Sequence, residues 1–425
     1  MKLTIHKPIL ETEKIAITYS FNGKDYPTAF CPPVDIQTDD SAVNIMVNWL
    51  SIVYATLFFN IEYPDEIKTD FGLSNDEICF FEKLIDNGMA EFRYVNNIPI
   101  ATKTKITPSR IVDIALVKDK KDLRGRILLN GGGKDGLTSS YLLDKAQIEY
   151  DLYQRGGTIP HALAARAIQK TPYIFNRQMN LESVVKKYKG HKPSSAIIAV
   201  TAILTAYLLG KKDVIASNET SANEANLIVD GVEINHQYTK TLEFENDFST
   251  LLTKQGIDVR YFSLLRPLHE LQIVKIFHEI PDFYKNFVSC NKTNKNNLWC
   301  MRCPKCAFIV LAFNAISPKM AQEVWGVDSI NLPELQNHIA AIVDPKLTKP
   351  FDCVGTLEEC QIAAKMILDN PNIELSDYLK QEFYDHTKNI TKDDVKNFIQ
   401  DFEPNHRVPT EYIDVLANMK SILLN

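Results

Sequence analysis

The 425-residue chain has no basic stripe: 47 Lys and Arg stand against 53 Asp and Glu, leaving a net charge of −6. A polynucleotide is held by clustered positive charge, so nucleic acid is not expected as a partner. No apolar run approaches the about 18 residues that crossing a bilayer requires, and Met1 to His6 lacks the apolar core of a signal peptide. No membrane partner is therefore expected, and the chain is placed in the cytoplasm. Hydrophobic content of 45% and charged content of 24% are those of an ordinary globular enzyme. The length suits about two to three domains. Nothing in the sequence speaks to oligomeric state.

Glycine is sparse, yet three of the 16 stand together in Arg126 to Leu143. Arg126 to Leu129 reads as a buried parallel strand, Gly131, Gly132 and Gly133 follow, and apolar spacing at Leu137, Tyr141 and Leu142 resumes as a helix. Such a turn lets backbone N–H groups approach an anion, and the helix N-terminus adds roughly half a positive charge. It is a phosphate cradle in outline, with Lys134, Asp135 and the hydroxyls of Thr138 and Ser139 beside it. A plain tight turn is the alternative. The Walker pattern and the dinucleotide glycine pattern are both absent. The run Gly131–Gly136 instead resembles the loop of the PP-loop ATP-pyrophosphatases, Ser-Gly-Gly-x-Asp-Ser, with glycine at both serine positions.

Residues 1–120 read as a separate α+β amino-terminal domain, a scaffold or a substrate lid. Ile15 to Phe21 alternates as a strand, Ala42 to Phe59 reads as a buried apolar helix, and Asn75 to Asp86 as an amphipathic helix ending near Gly88. Ile98 to Arg110 is the expected linker. Residues 121–315 alternate strand and helix, which argues an α/β core with a parallel sheet covered on both faces. Its further strands are expected at Ile148–Tyr153, Pro172–Arg177 and Asp213–Ser217, with an apolar helix over Ser195–Leu209. Residues 316–425 read as a helical carboxyl-terminal region.

Asn218, Glu219 and Ser221 follow the strand at Asp213, where open parallel sheets bind ligands. Asn235, His236, Gln237 and Lys240 form a second polar cluster. Cys290, Cys300, Cys303 and Cys306 are spaced to offer four thiolates to one tetrahedral Zn²⁺ at about 2.3 Å. Four ligands leave no open position, so the metal is structural. A disulfide and an iron–sulfur cluster are the alternatives. Cys353 and Cys360 lie far along the chain and are not expected to be ligands.

A degenerate PP-loop followed by a four-cysteine knuckle resembles the arrangement of the 7-cyano-7-deazaguanine synthases. The wording of the motifs is closer to the UDP-N-acetylmuramoyl-L-alanyl-L-glutamate epimerases, the MurL family. That resemblance rests on Gly131–Asp135, Asn218–Ala222, Asn235–Lys240 with Phe244–Glu245, Tyr261–Pro267, Ser289–Asn291, Trp299–Cys300, Cys303–Cys306 and Lys349–Gly355. Asn87–Phe92 adds an amino-terminal element. The family loop continues Lys-Asp-Ser, where this chain has Gly136.

The resemblance implies a HUP-type PP-loop core and an ATP-dependent enzyme using Mg²⁺ and structural Zn²⁺ on a small-molecule substrate. The terminal L-Glu carboxylate of a UDP-muramoyl dipeptide is adenylated, the α-carbon is inverted to D-Glu, and AMP and diphosphate leave. Adenylation comes first, because removing an α-proton beside an ionised carboxylate would create a dianion. His236, Lys240, Glu219 and Lys305 are the candidate acids and bases. Asn218, Ser221, Asn235, Gln237 and Arg266 are candidate substrate contacts. Another carboxylate-adenylating enzyme and a non-catalytic nucleotide-binding scaffold are the rival readings.

Overall fold

The computed structural model describes residues 1–113, 121–181, 184–290, 292, 299–326 and 328–424. The boundary expected at residue 120 falls beside 114–120, and Asn291 also lies outside the described residues.

Five parallel strands form the core, in the order Arg260–Ser263, Asp213–Ala216, Arg126–Leu129, Asp151–Arg155 and Pro172–Met179. Counted along the chain this is 5-4-1-2-3, so the winding reverses between Arg126–Leu129 and Asp213–Ala216. A crevice opens at such a reversal, because the connections leave in opposite directions. Ile127, Leu128, Val214 and Ile215 are fully buried, as strands covered on both faces must be. Helices Ser41–Ala55 and Ser194–Leu208 join one apolar core; Lys134–Lys145, Glu270–His278 and Ile413–Leu424 join another.

The strand expected from Ile148 begins instead at Asp151. The preceding helix ends in a capping turn: Gln147 takes φ 55°, and the Ile148 N–H bonds back to the Leu143 carbonyl at 2.9 Å. Those residues are spent on closing the helix.

The sheet continues past Pro172–Met179 by antiparallel pairing with Lys24–Cys31, then Ile15–Phe21 and Lys2–Ile5. Glu66–Thr69 and Lys105–Pro108 complete the path in parallel. The amino-terminal segment and the core thus share one 11-stranded sheet. Lys105–Pro108, inside the segment expected to be linker, is its last strand.

One expectation is corrected. Ser41–Asn60 is 20 residues long and apolar enough to cross a membrane by length and composition. It is a 15-residue α-helix continued by a tighter 3-10 turn, and Trp49, Leu50, Ile52 and Phe58 are fully buried in the core. Its apolarity is that of a helix surrounded by protein.

The carboxyl-terminal helices from Pro304 onward build the remaining core cluster, and the chain then returns to the central sheet. Tyr412 donates to Asp213 at 2.6 Å and accepts from Arg126 at 3.0 Å, at the amino ends of two central strands.

Candidate active site

The glycine turn lies at the reversal point. Gly132 has φ +74°, and a Cβ there would stand 2.7 Å from Pro160, so this position must be glycine. Asn130 shapes the turn: its carboxamide oxygen accepts from the Gly132 N–H at 3.0 Å, while its nitrogen donates to Gln154 and to the His161 carbonyl, both at 3.0 Å. Gly133 caps the helix Lys134–Lys145 and offers no side chain to its first N–H groups. Those donors and the positive helix end are left for an anion. A Cβ at Gly136 would meet nothing nearer than the Leu129 carbonyl oxygen at 3.5 Å, so the family's serine would fit.

The cleft over this turn has a volume of about 510 Å³. Gly131, Gly133 and Asp135 form its floor, Asn218 and Lys240 one part of its lining, and Arg155, His161, Lys305 and Cys353 further parts.

Not every expected residue faces it. Lys134 is 1% exposed and its ammonium is hydrogen-bonded to Asp135 and Glu270. Thr138 donates to the Lys134 carbonyl at 3.0 Å, and Ser139 shares a 2.8 Å hydrogen bond with Ser217. Arg266, expected to touch substrate, is fully buried and serves as a clamp. It donates to the carbonyls of Glu219 and Lys240 and to the Glu245 carboxylate. It thereby ties the two polar loops together from behind. Ser221 accepts from the Glu270 N–H at 3.2 Å, and Asn235 accepts from the Gln237 N–H at 2.7 Å. These two hold loop shape. Gln237 accepts from Lys240 at 3.2 Å.

Two clusters form around the cleft. Carboxylate oxygens of Asp135, Glu219 and Glu270 lie within 4.8 Å of one another. Burial pushes the Glu270 carboxyl up to about 7, with Lys134 opposing the shift and Asp135 and Glu219 adding to it. Burial would also raise Asp135, but Lys134 and Lys305 bring it below the usual carboxylate range. One Glu219 oxygen is buried with no hydrogen-bond partner among the described residues. Oxygen donors converging in this way, one of them unpaired, fit a hard divalent cation such as Mg²⁺.

The second cluster joins three remote segments. The His236 ring hydrogen-bonds Glu91 through Nδ1 at 2.5 Å and also bonds Cys353. Lys240 lies 3.5 Å from the Cys353 sulfur. Burial would lower His236, yet Cys353 and Glu91 raise it to about 9; burial would raise Cys353, yet Lys240, Lys305 and His236 bring it down to about 6. Lys240 is held charged despite burial by Cys353, Glu219 and Asp135.

The four knuckle cysteines also come together, their sulfurs within 4.8 Å of one another. Cys300 and Cys306 are 3.8 Å apart, the edge of a tetrahedron whose arms are about 2.3 Å. Backbone N–H groups of Cys306, Cys300 and Lys292 point at the sulfurs of Cys303 and Cys290 at 3.4–3.5 Å, suiting thiolates. Cys303 caps the helix Pro304–Ile316, with proline at its first position, where no N–H is needed. The knuckle buttresses the cleft: the Val288 N–H donates to the Gly132 carbonyl at 3.0 Å, and Lys305 sits between two of the cysteines.

Glu91, Glu270 and Cys353 were not singled out as site residues from sequence. Glu91 and Cys353 lie inside runs that carry the family resemblance, which was their signal. Glu270 carried none, being one acidic residue at a helix start.

The fold is thus an open α/β sheet with a glycine turn at its reversal point, where sheets of this class form a crevice, and a carboxylate triad beside it. The chain belongs to the MurL family: the MurL N-terminal domain matches residues 8–264 and the MurL C-terminal domain residues 286–397. Among its relatives is a protein of Micromonospora sp. named UDP-N-acetyl-alpha-D-muramoyl-L-alanyl-L-glutamate epimerase, 28% identical over 391 residues, 85% of each chain. Proteins of the same name from Salinispora tropica and Xanthomonas oryzae pv. oryzae are 28% and 26% identical, covering 84% and 87% of this chain and 82% and 85% of their own.

Proposed function

We propose that the chain is an ATP-dependent epimerase of peptidoglycan precursor synthesis. It adenylates the terminal L-Glu carboxylate of UDP-N-acetylmuramoyl-L-alanyl-L-glutamate, inverts the α-carbon to D-Glu and releases AMP and diphosphate. The observation that carries this reading is the likeness to three epimerases along more than four fifths of both lengths. The cleft is compatible with it. The uncapped N–H groups above Gly133 hold phosphate oxygens, and Arg155, Lys240 and Lys305 supply positive charge around the same space. Asp135, Glu219 and Glu270 would hold Mg²⁺, which neutralises phosphate charge when bound. Zn²⁺ would sit among Cys290, Cys300, Cys303 and Cys306 and brace the turn.

Adenylation removes the carboxylate charge, and a proton can then leave the α-carbon. Asn218 lines the cleft where the acyl group must lie, and Arg266 keeps its loop and that of Lys240 in register. Exchange of labelled pyrophosphate into ATP tests the first half-reaction. Exchange that requires the muramoyl dipeptide is expected. Exchange that requires another carboxylate replaces the substrate, and no exchange with any carboxylate leaves the nucleotide-binding scaffold.

A further inference from the structure

The proposed reaction needs a group that can carry a proton to and from the α-carbon at neutral pH. His236 is the obvious reading from sequence, but its ring is engaged on two sides. Nδ1 bonds the Glu91 carboxylate, and the ring bonds the Cys353 sulfur. Glu91 comes from the short helix Ala90–Val95, His236 from the loop after Val232–Ile234, and Cys353 from the loop before the helix Leu357–Leu368. Three segments far apart in sequence thus form a carboxylate–imidazole–thiol line. Of the three, Cys353 is the one that lines the cleft.

We propose that Cys353, as a thiolate, exchanges the α-proton on one face of the adenylated glutamyl residue, with His236, Glu91 and Lys240 as positioning residues. This rests on the epimerase reading above. The charged groups facing the sulfur are His236 and Lys240 from one loop, Lys305 from the helix Pro304–Ile316, and the adjoining Asp352, whose carboxylate accepts the Cys353 N–H at 3.1 Å. Three of these four favour the thiolate. His191, 4.3 Å from His236 ring to ring, is kept neutral mainly by burial, then by His236 and Lys240. The buried Glu219 carboxylate lies within the electrostatic reach of the same Lys240 and helps hold it charged.

The proton balance is simple. A sulfur lone pair takes the α-hydrogen as a proton, and the C–H electron pair passes to the acyl carbonyl oxygen as an enolate. The enolate collapses as its α-carbon accepts a proton on the opposite face from a second cleft donor, Lys305 or water. The thiol then loses its proton to solvent and the donor takes one back, so both groups return to their starting states. No oxidant or reductant is required.

The test uses Cys353→Ala and Cys353→Ser in the full chain, with ATP, Mg²⁺ and either epimer of the muramoyl dipeptide in D₂O. Both variants are expected to release pyrophosphate still, which also certifies the fold. Net inversion should fall by about 10²–10⁴-fold, the usual contribution of a positioned acid–base group. Solvent deuterium should wash into only one epimer, because the opposite-face donor remains. Inversion within tenfold of wild type, equal wash-in to both epimers, or joint loss of pyrophosphate release overturns the proposal. If wild type itself shows no dipeptide-dependent pyrophosphate release, the epimerase reading fails first.

Thiol reactivity separates the two failures, since it needs no turnover. Iodoacetamide should label Cys353 with a midpoint near pH 6, ahead of the exposed Cys79, and Glu91→Gln should move that midpoint upward. An ordinary thiol midpoint at Cys353 overturns the proposal whatever the substrate.

Discussion

Cys306→Ser is expected to abolish metal binding at the knuckle and to unfold the last third of the chain, which begins near Val288. Cys303 and Cys306 are fully buried, and the helix they open, Pro304–Ile316, is buried at every position from Lys305 to Ala315. Helices Pro318–Trp325, Pro333–Val343 and Leu357–Leu368 share its core cluster. Structural zinc in small knuckles contributes about 10–16 kcal/mol of folding free energy. Whole domains are stable by only about 5–15 kcal/mol, so a zinc held there would decide whether this part folds. The candidate cleft should go with it, because Val288 braces the Gly132 carbonyl and Lys305, which lines the cleft, is set between two of the cysteines. Elemental analysis of the purified wild type should find one zinc per chain. Iron, or less than half an equivalent of any metal, contradicts the zinc assignment.

Asp135→Ala should reduce AMP and pyrophosphate release by at least about 10³-fold while leaving the fold intact, if charge stabilisation at the phosphates is worth the several kcal/mol usual for such groups. Lys134 would not be stranded, because Glu270 still pairs with its buried ammonium. The loss should appear in chemistry and in Mg²⁺ dependence, with the thermal midpoint changed little. Circular dichroism melts alongside pyrophosphate release check both halves. Undiminished release by the variant would remove the triad and the turn from the mechanism.

What could be read in the sequence was local. The strand at Arg126, the glycine turn and the helix after it are specified within a few residues by apolar run, missing Cβ atoms and 3.6-residue spacing. The knuckle is nearly as local, because Cys300, Cys303 and Cys306 stand three positions apart and Cys290 only ten before them. The joined sheet was not legible, since Lys24–Cys31 pairs with Pro172–Met179 across more than a hundred residues and no local pattern encodes that partner. The same holds for Glu91, Glu270 and Cys353, which reach the site from separate segments.

Residue type also misled where burial changes its use. Lys134 and Arg266 look like ligand-binding cations in sequence, but both are buried and spend their charge on carboxylates and carbonyls within the protein. By contrast, the reading of Ala42 to Phe59 as a buried apolar helix holds, although Ser41–Asn60 is long and apolar enough to cross a membrane. Composition says how apolar a segment is, whereas packing says what it faces.

The central claim, inversion at the glutamyl α-carbon after activation of its carboxylate, is tested most directly by incubating the protein in D₂O with ATP, Mg²⁺ and UDP-N-acetylmuramoyl-L-alanyl-L-glutamate. Mass spectrometry and chiral analysis of the hydrolysed product are expected to find D-Glu carrying one deuterium at the α-carbon, formed only when ATP is present and accompanied by AMP. AMP production with no α-deuterium in the glutamate, or a mass change that follows added ammonia, would contradict it.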